Sequence, residues 1–168
     1  MVVYLAGRKL RASELQNLED RLTVVENPLV LDVGPITADS SGWTTSTRVV
    51  TNVAGIFTAI QNAEYEVTIR ANVIHDTGAK WCTAGIAVHD GGPVTAADVP
   101  ISSVTEFADT GGAVRNCSHS ETFVAATSGT YGVAIVGWIA LGTGGTAKLH
   151  GTAVASGFTN GLTVKRVG

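Results

Sequence analysis

Apolar and polar residues alternate along Glu64–Ile74, with Tyr65, Val67, Ile69, Ala71 and Val73 facing one way and Glu64, Glu66, Thr68, Arg70 and Asn72 the other. A period of two is that of a half-buried antiparallel strand. Lys80–His89 repeats the pattern, with Cys82, Ala84, Ile86 and Val88 on the apolar side. Thr130–Leu141 is apolar on both sides, Tyr131, Val133, Ile135 and Ile139 on one and Ala134, Val136, Trp138 and Ala140 on the other. Such a strand is expected to be covered twice, by its own sandwich and by something beyond it. Thr146–Ala155 and Leu162–Val167 follow, and shorter candidates are Thr44–Thr51, Ile56–Ile60, Val99–Val104 and Glu121–Ala125. Gly142–Lys148 (GTGGTAK) joins two strands and lacks phosphate-loop spacing, so it is expected to be a hairpin turn.

Eight or nine strands without an intervening helical pattern predict an all-β antiparallel sandwich over residues 37–168, and the jelly roll is its common eight-stranded form. No internal repeat points to a propeller or a β-helix.

The first 36 residues follow another pattern. Val2–Leu5 reads as a short extended arm. Ser13 and Gln16 fit a capping box, and Leu15, Leu18, Leu22 and Val25 then recur every three or four residues until Pro28. That is a short amphipathic helix, too short to stand alone in water. The segment 27–41 reads as a linker or an extended crossing strand. Residues 1–36 are therefore expected to anchor the chain or to join copies of it.

The charge pattern narrows the function. Charged residues are 15% of the chain, against roughly 25% in an average soluble domain, while glycines number 20. The net charge of −3 gives no electrostatic reason for nucleic-acid binding. No apolar run reaches the length of a membrane span, and Arg8, Lys9 and Arg11 follow the first apolar residues instead of preceding them, unlike a secretory signal. Cys82 and Cys117 are expected to be buried free thiols.

At this point the chain resembles a known group. The opening YLAGRKLRASELQNLED is similar to that of small virion proteins from tailed phages of actinobacteria. EYEVTIRANV, AGIAVHDGG, SGTYGVAIVGWIALGTGGTAKLHG and GLTVKRVG together resemble a C1q/TNF-like jelly roll. The resemblance implies a structural virion protein assembled in the host cytoplasm. It would be a homotrimer with other virion proteins as partners, acting as capsid decoration, head fibre or minor tail protein. Arg8, Lys9, Arg11, Leu15, Leu18, Leu22 and Val25 would then anchor it, and Tyr131, Val136, Trp138 and Ala140 would lie between subunits.

Other chemistry is sparse. His75, His89, His119 and His150 lack the local spacing of zinc ligands. Asp76, Asp90 and Asp109 lie in Gly-rich stretches, where oxygen ligands for Ca²⁺ are conceivable, although such loops are common without metal. No nucleophile elbow or paired glycosidase carboxylates occur, so neither catalysis nor a cofactor is expected. The rival to an assembly role is a host-glycan adhesion module, with Trp43, Asp76, His89, Asp90 and Asp109 as its site. Trp43, behind Ser-Ser-Gly, is the tryptophan expected to be exposed, whereas Trp81 and Trp138 are expected to fill the core or a subunit interface.

Overall fold

Among the described residues the alternating stretches become nine antiparallel strands in two layers. The computed structural model describes residues 14, 28–44, 46–77, 80–108, 111–141, 145–151 and 158–168. In order the strands are β1 (Leu29–Ile36), β2 (Val49–Ala59), β3 (Glu64–His75), β4 (Lys80–Asp90), β5 (Ser102–Ala108), β6 (Val114–Val124), β7 (Gly129–Leu141), β8 (Ala147–Leu149) and β9 (Asn160–Arg166). One sheet runs β1-β9-β3-β6, with β8 also paired to β3, and the other runs β2-β7-β4-β5. The protein is thus an all-β two-sheet sandwich consistent with a jelly roll.

The inward residues of both sheets form one core around Val67, Ile69, Ile86, Val133, Ile135, Leu162 and Val164. At one end Phe57, Tyr65, Phe123 and Tyr131 form an aromatic cluster, with Tyr65 and Phe123 stacked at 5.6 Å. Cys82 and Cys117 are free and buried, and burial pushes their thiols up to about 11 and about 12.

Several boundaries differ from the sequence expectation. The stretch grouped with the N-terminal segment contains β1, which pairs with β9 from Leu29↔Lys165 to Ile36↔Asn160. The two short candidates at 44–51 and 56–60 merge into β2, whose register slips between Val50 and Ala54. β6 is longer than its candidate and lies at a sheet edge. Its inward positions include His119 and Glu121 besides Cys117 and Phe123, which hides the alternation. The helix and the anchoring residues Arg8, Lys9, Arg11, Leu15, Leu18, Leu22 and Val25 lie outside the described residues.

From Tyr131 to Gly137, β7 is covered on both faces, and there the outer cover comes from the same chain. After β4 the connection Gly91–Ile101 turns back over the outer face of β7 and β4. A Cβ on outward-facing Gly132 would collide with Gly92 O, and one on Gly85 would lie 3.1 Å from Pro100. Ile101 N donates to Ile86 O at 2.8 Å, and Arg48 Nη1 donates to the Asp98 carbonyl at 2.7 Å. Ala87, Ala134 and Val136, all on the outer side, are consequently buried. The assignment of Val136 to an inter-subunit surface is corrected by this strap, since Val136 is 0% exposed within one chain. Tyr131 is corrected too. It faces the core, and its hydroxyl donates to Asp90 Oδ2 at 3.1 Å.

Candidate ligand-binding face

The strap Gly91–Ile101 stops short of one part of the outer sheet, toward the start of β4 and the end of β7, where Trp81 and Ala140 are exposed. Register fixes its residues. Thr83 pairs with Trp138 and with Thr105, and Trp81 pairs with Leu141 and Phe107. Cys82, Ile139 and Glu106 point inward between them, so Trp81, Thr83, Thr105, Trp138 and Ala140 share the outer face. Trp81 is 42% exposed, Thr105 and Ala140 are exposed, and Trp138 is half-buried. Thr83 and Thr105 hydrogen-bond through their hydroxyls at 2.8 Å.

Trp138 is seated by a glycine. A Cβ on Gly85 would stand 2.9 Å from its Cζ3 atom, so the bare backbone lets the indole settle beside Pro100. Trp81, on the same outer side, keeps 42% of its surface exposed.

The four described residues expected to form a ligand site, Trp43, Asp76, His89 and Asp90, do not gather in one place. Trp43 is a core residue, 1% exposed, which corrects the expectation that it stands out. It exchanges backbone hydrogen bonds with Ala147 at 2.8 and 2.9 Å, and its ring packs over Gly137. His89 and Asp90 lie at the far end of β4 from Asp76. His89 Nδ1 meets Asp98 Oδ1 at 2.8 Å, fastening the strap. Burial raises the Asp98 carboxyl, but donors from Thr95 N, His89 and Thr95 Oγ1 outweigh it and hold the group below its ordinary value. Asp90 accepts from Thr127 Oγ1 at 2.8 Å as well as from Tyr131. Asp109 lies outside the described residues.

Asp76 knits the loops at its own end. Its Oδ1 accepts from Thr146 N at 2.8 Å, and its backbone N donates to Thr146 O. With Ile74, Gly112, Thr146 and Lys148 it borders an open pocket of about 400 Å³. Beneath it His75 is fully buried, its Nδ1 accepting from Thr77 N at 3.2 Å. Burial holds the His75 pKa below its ordinary value, with Asp76 opposing and Lys80 reinforcing the shift. Lys148 pairs with Asp39, which also accepts from Gly151 N. The hydrogen bond from Lys148 comes first among the causes that lower the Asp39 pKa to about 2.

Sequence reasoning missed one further contact. Ser102 Oγ on β5 and His119 Nε2 on β6 are 2.5 Å apart and join the two sheets along their shared edge. Only the register, not local spacing, brings them together. Among the described residues no three His, Cys, Asp or Glu side chains gather as a metal set, and no helix is long and apolar enough to cross a membrane.

No protein-family model matches the chain, and no curated protein sequence matches it. Solved structures do resemble it. The Eiger TNF of S. frugiperda aligns with a TM-score of 0.45 at 5% identity, over 79% of this chain and 94% of that one. A chain of the infectious bursal disease virus Gx strain aligns at 0.43 and 9%, over 83% of this chain and 36% of the viral one. The module TmCBM61, solved in complex with beta-1,4-galactotriose, aligns at 0.36 and 11%, over 76% and 70%. Likeness at this level is one of general architecture and says nothing of a ligand, a partner or a reaction.

Proposed function

We propose that this chain is a displayed, non-catalytic carbohydrate-binding module of a virus particle. In this reading residues 1–36 attach it to other virion proteins and the sandwich engages a glycan on the host surface. The observation that supports it is the uncovered outer face, where Trp81 is 42% exposed beside half-buried Trp138 and a pair of threonine hydroxyls. An indole face offers a flat apolar surface for the C–H side of a sugar ring, and neighbouring hydroxyls offer hydrogen bonds. A glycan array tests it. The protein should bind a defined glycan set, and Trp81→Ala should abolish that binding while the fold persists. Equal binding by the variant would contradict the reading.

A second reading uses the same surface for assembly. Trp81 is an exposed apolar residue, as are Val99 and Ile101 on either side of the Pro100 that lies with Trp138 over Gly85, and a homotrimer would cover them. Decoration of a capsid or tail then becomes the main task. Sedimentation of the full chain separates the readings: a trimer disrupted by Trp81→Ala supports assembly through this face, and a monomer contradicts it.

A further inference from the structure

At the end of the sandwich where the chain enters β1, three exposed apolar residues stand on the outer face of the β1-β9-β3-β6 sheet. Leu29 is 53% exposed, Val124 61% and Val167 36%. Register lays them out in two rows. Leu29 pairs with Lys165, Lys165 with Glu66, and Glu66 with Thr122. One row further out, Glu64 pairs with Val124, and its carbonyl accepts from Val167 N at 2.9 Å. Cross-strand partners share a face, so the patch runs from β1 to β6 with Glu64, Glu66 and Lys165 among its apolar residues. The stretches that carry it, residues 28–30, 64–66, 122–124 and 164–168, are all described.

The chain that precedes the patch supplies a cover for it. Leu15, Leu18, Leu22 and Val25 form the apolar stripe of a segment too short to hold a helix alone in water. Only Glu26, Asn27 and Pro28 separate Val25 from Leu29. At about 1.5 Å per residue, a helical stretch from Leu15 to Val25 spans about 15 Å. Strands about 4.8 Å apart place β6 about 14 Å from β1 across β9 and β3. Stripe and patch therefore match in length. They also match in charge: at 3.6 residues per turn Arg21 and Glu19 flank the stripe on opposite sides, and the patch carries both signs.

We propose that residues 13–26 fold back on their own sandwich and lay the stripe of Leu15, Leu18, Leu22 and Val25 over Leu29, Val167 and Val124. So short a tether gives a local concentration that a second copy does not reach in dilute solution. The proposal stands apart from the sugar-binding reading. It narrows attachment to other virion proteins to residues 1–12, which include Arg8, Lys9 and Arg11.

Cross-linking in the full chain tests it. Leu15→Cys is combined either with Thr122→Cys, an exposed position near Val124, or with Asn116→Cys, exposed on the same strand about 20 Å away. Native Cys82 and Cys117 are buried, with thiols pushed up to about 11 and about 12, so a maleimide reaches the introduced pair first. With a short bismaleimide in dilute protein, the 15–122 pair should close within one chain at least about tenfold faster than the 15–116 pair. Adding Leu18→Asp should erase that difference, while the thermal melt shows the sandwich still folded. Equal rates for the two pairs, or products that join two chains, would overturn the proposal. A preference that survives Leu18→Asp would overturn it as well.

Discussion

The ring of Trp43 occupies the space where a side chain on Gly137 would begin: a Cβ there would stand 2.6 Å from three of its atoms. On the next pair of the same sheet, Gly85↔Val136, Trp138 makes the corresponding use of Gly85 from the outer side. One indole therefore sits on each face of the β4–β7 pair, and each is admitted by a missing Cβ.

These seats predict a graded set of stability losses. Trp43→Ala should cost about 3–5 kcal/mol, the range for emptying a large aromatic from a core. Gly137→Ala should cost about 1–3 kcal/mol by overpacking. Urea denaturation of both variants measures the difference.

Gly85→Ala should act on the outer face instead. Its new methyl would meet Trp138 Cζ3 at 2.9 Å and Pro100 at 3.1 Å, so both must shift outward. A change in the near-ultraviolet circular dichroism of tryptophan, with the sandwich retained, is the expected outcome. An unchanged spectrum would count against the seat.

The alternation that makes β3, β4 and β7 readable in sequence comes from burial of one face, or both, in a common core. β6 escapes because it is an edge with polar inward residues such as His119. The strap escapes for another reason. Gly91–Ile101 reads as a turn-rich loop, and nothing local says that it folds over Val136. The burial of Trp43 escapes for the same cause. Trp43 is placed by pairing with Ala147, 104 positions away, and Trp81 takes the outer side of a strand whose partners lie on β5 and β7. Long-range pairing decides the place of Trp43, whereas the alternation of Cys82, Ala84 and Ile86 already puts Trp81 on the opposite side of β4.

Tyr131→Phe should destabilise the aromatic end modestly. The hydroxyl donates to Asp90 Oδ2 and accepts from Thr127 N at 3.2 Å. Its loss should cost about 1 kcal/mol, read by thermal or chemical unfolding.

His75 predicts a pH dependence near neutrality. Its folded pKa lies below the unfolded value of about 6.5, so folding favours the neutral ring. Its contribution is complete above that value and diminishes as pH falls, because the unfolded chain takes up the proton more readily. Asp76 and Lys80 face the ring and act in opposite directions. Melting temperatures should fall between pH 7.5 and 5.5, and His75→Gln should flatten that slope.

Asp39 acts at lower pH. Its folded pKa of about 2 is depressed, so its contribution is present above the ordinary carboxylate value of about 3.9 and disappears as pH falls toward 2. The side chain is 38% exposed, so screening limits the effect to about 1 kcal/mol or less. The stability gap between wild type and Asp39→Asn should close across that window.

The three tryptophans supply the most direct test of the central claim, because each gives its own indole N–H resonance. On titration with an oligosaccharide that the glycan array identifies, the signals of Trp81 and Trp138 should move while that of buried Trp43 stays in place. Immobility of all three, or broadening of the Trp81 signal with protein concentration alone, would contradict a sugar-binding face.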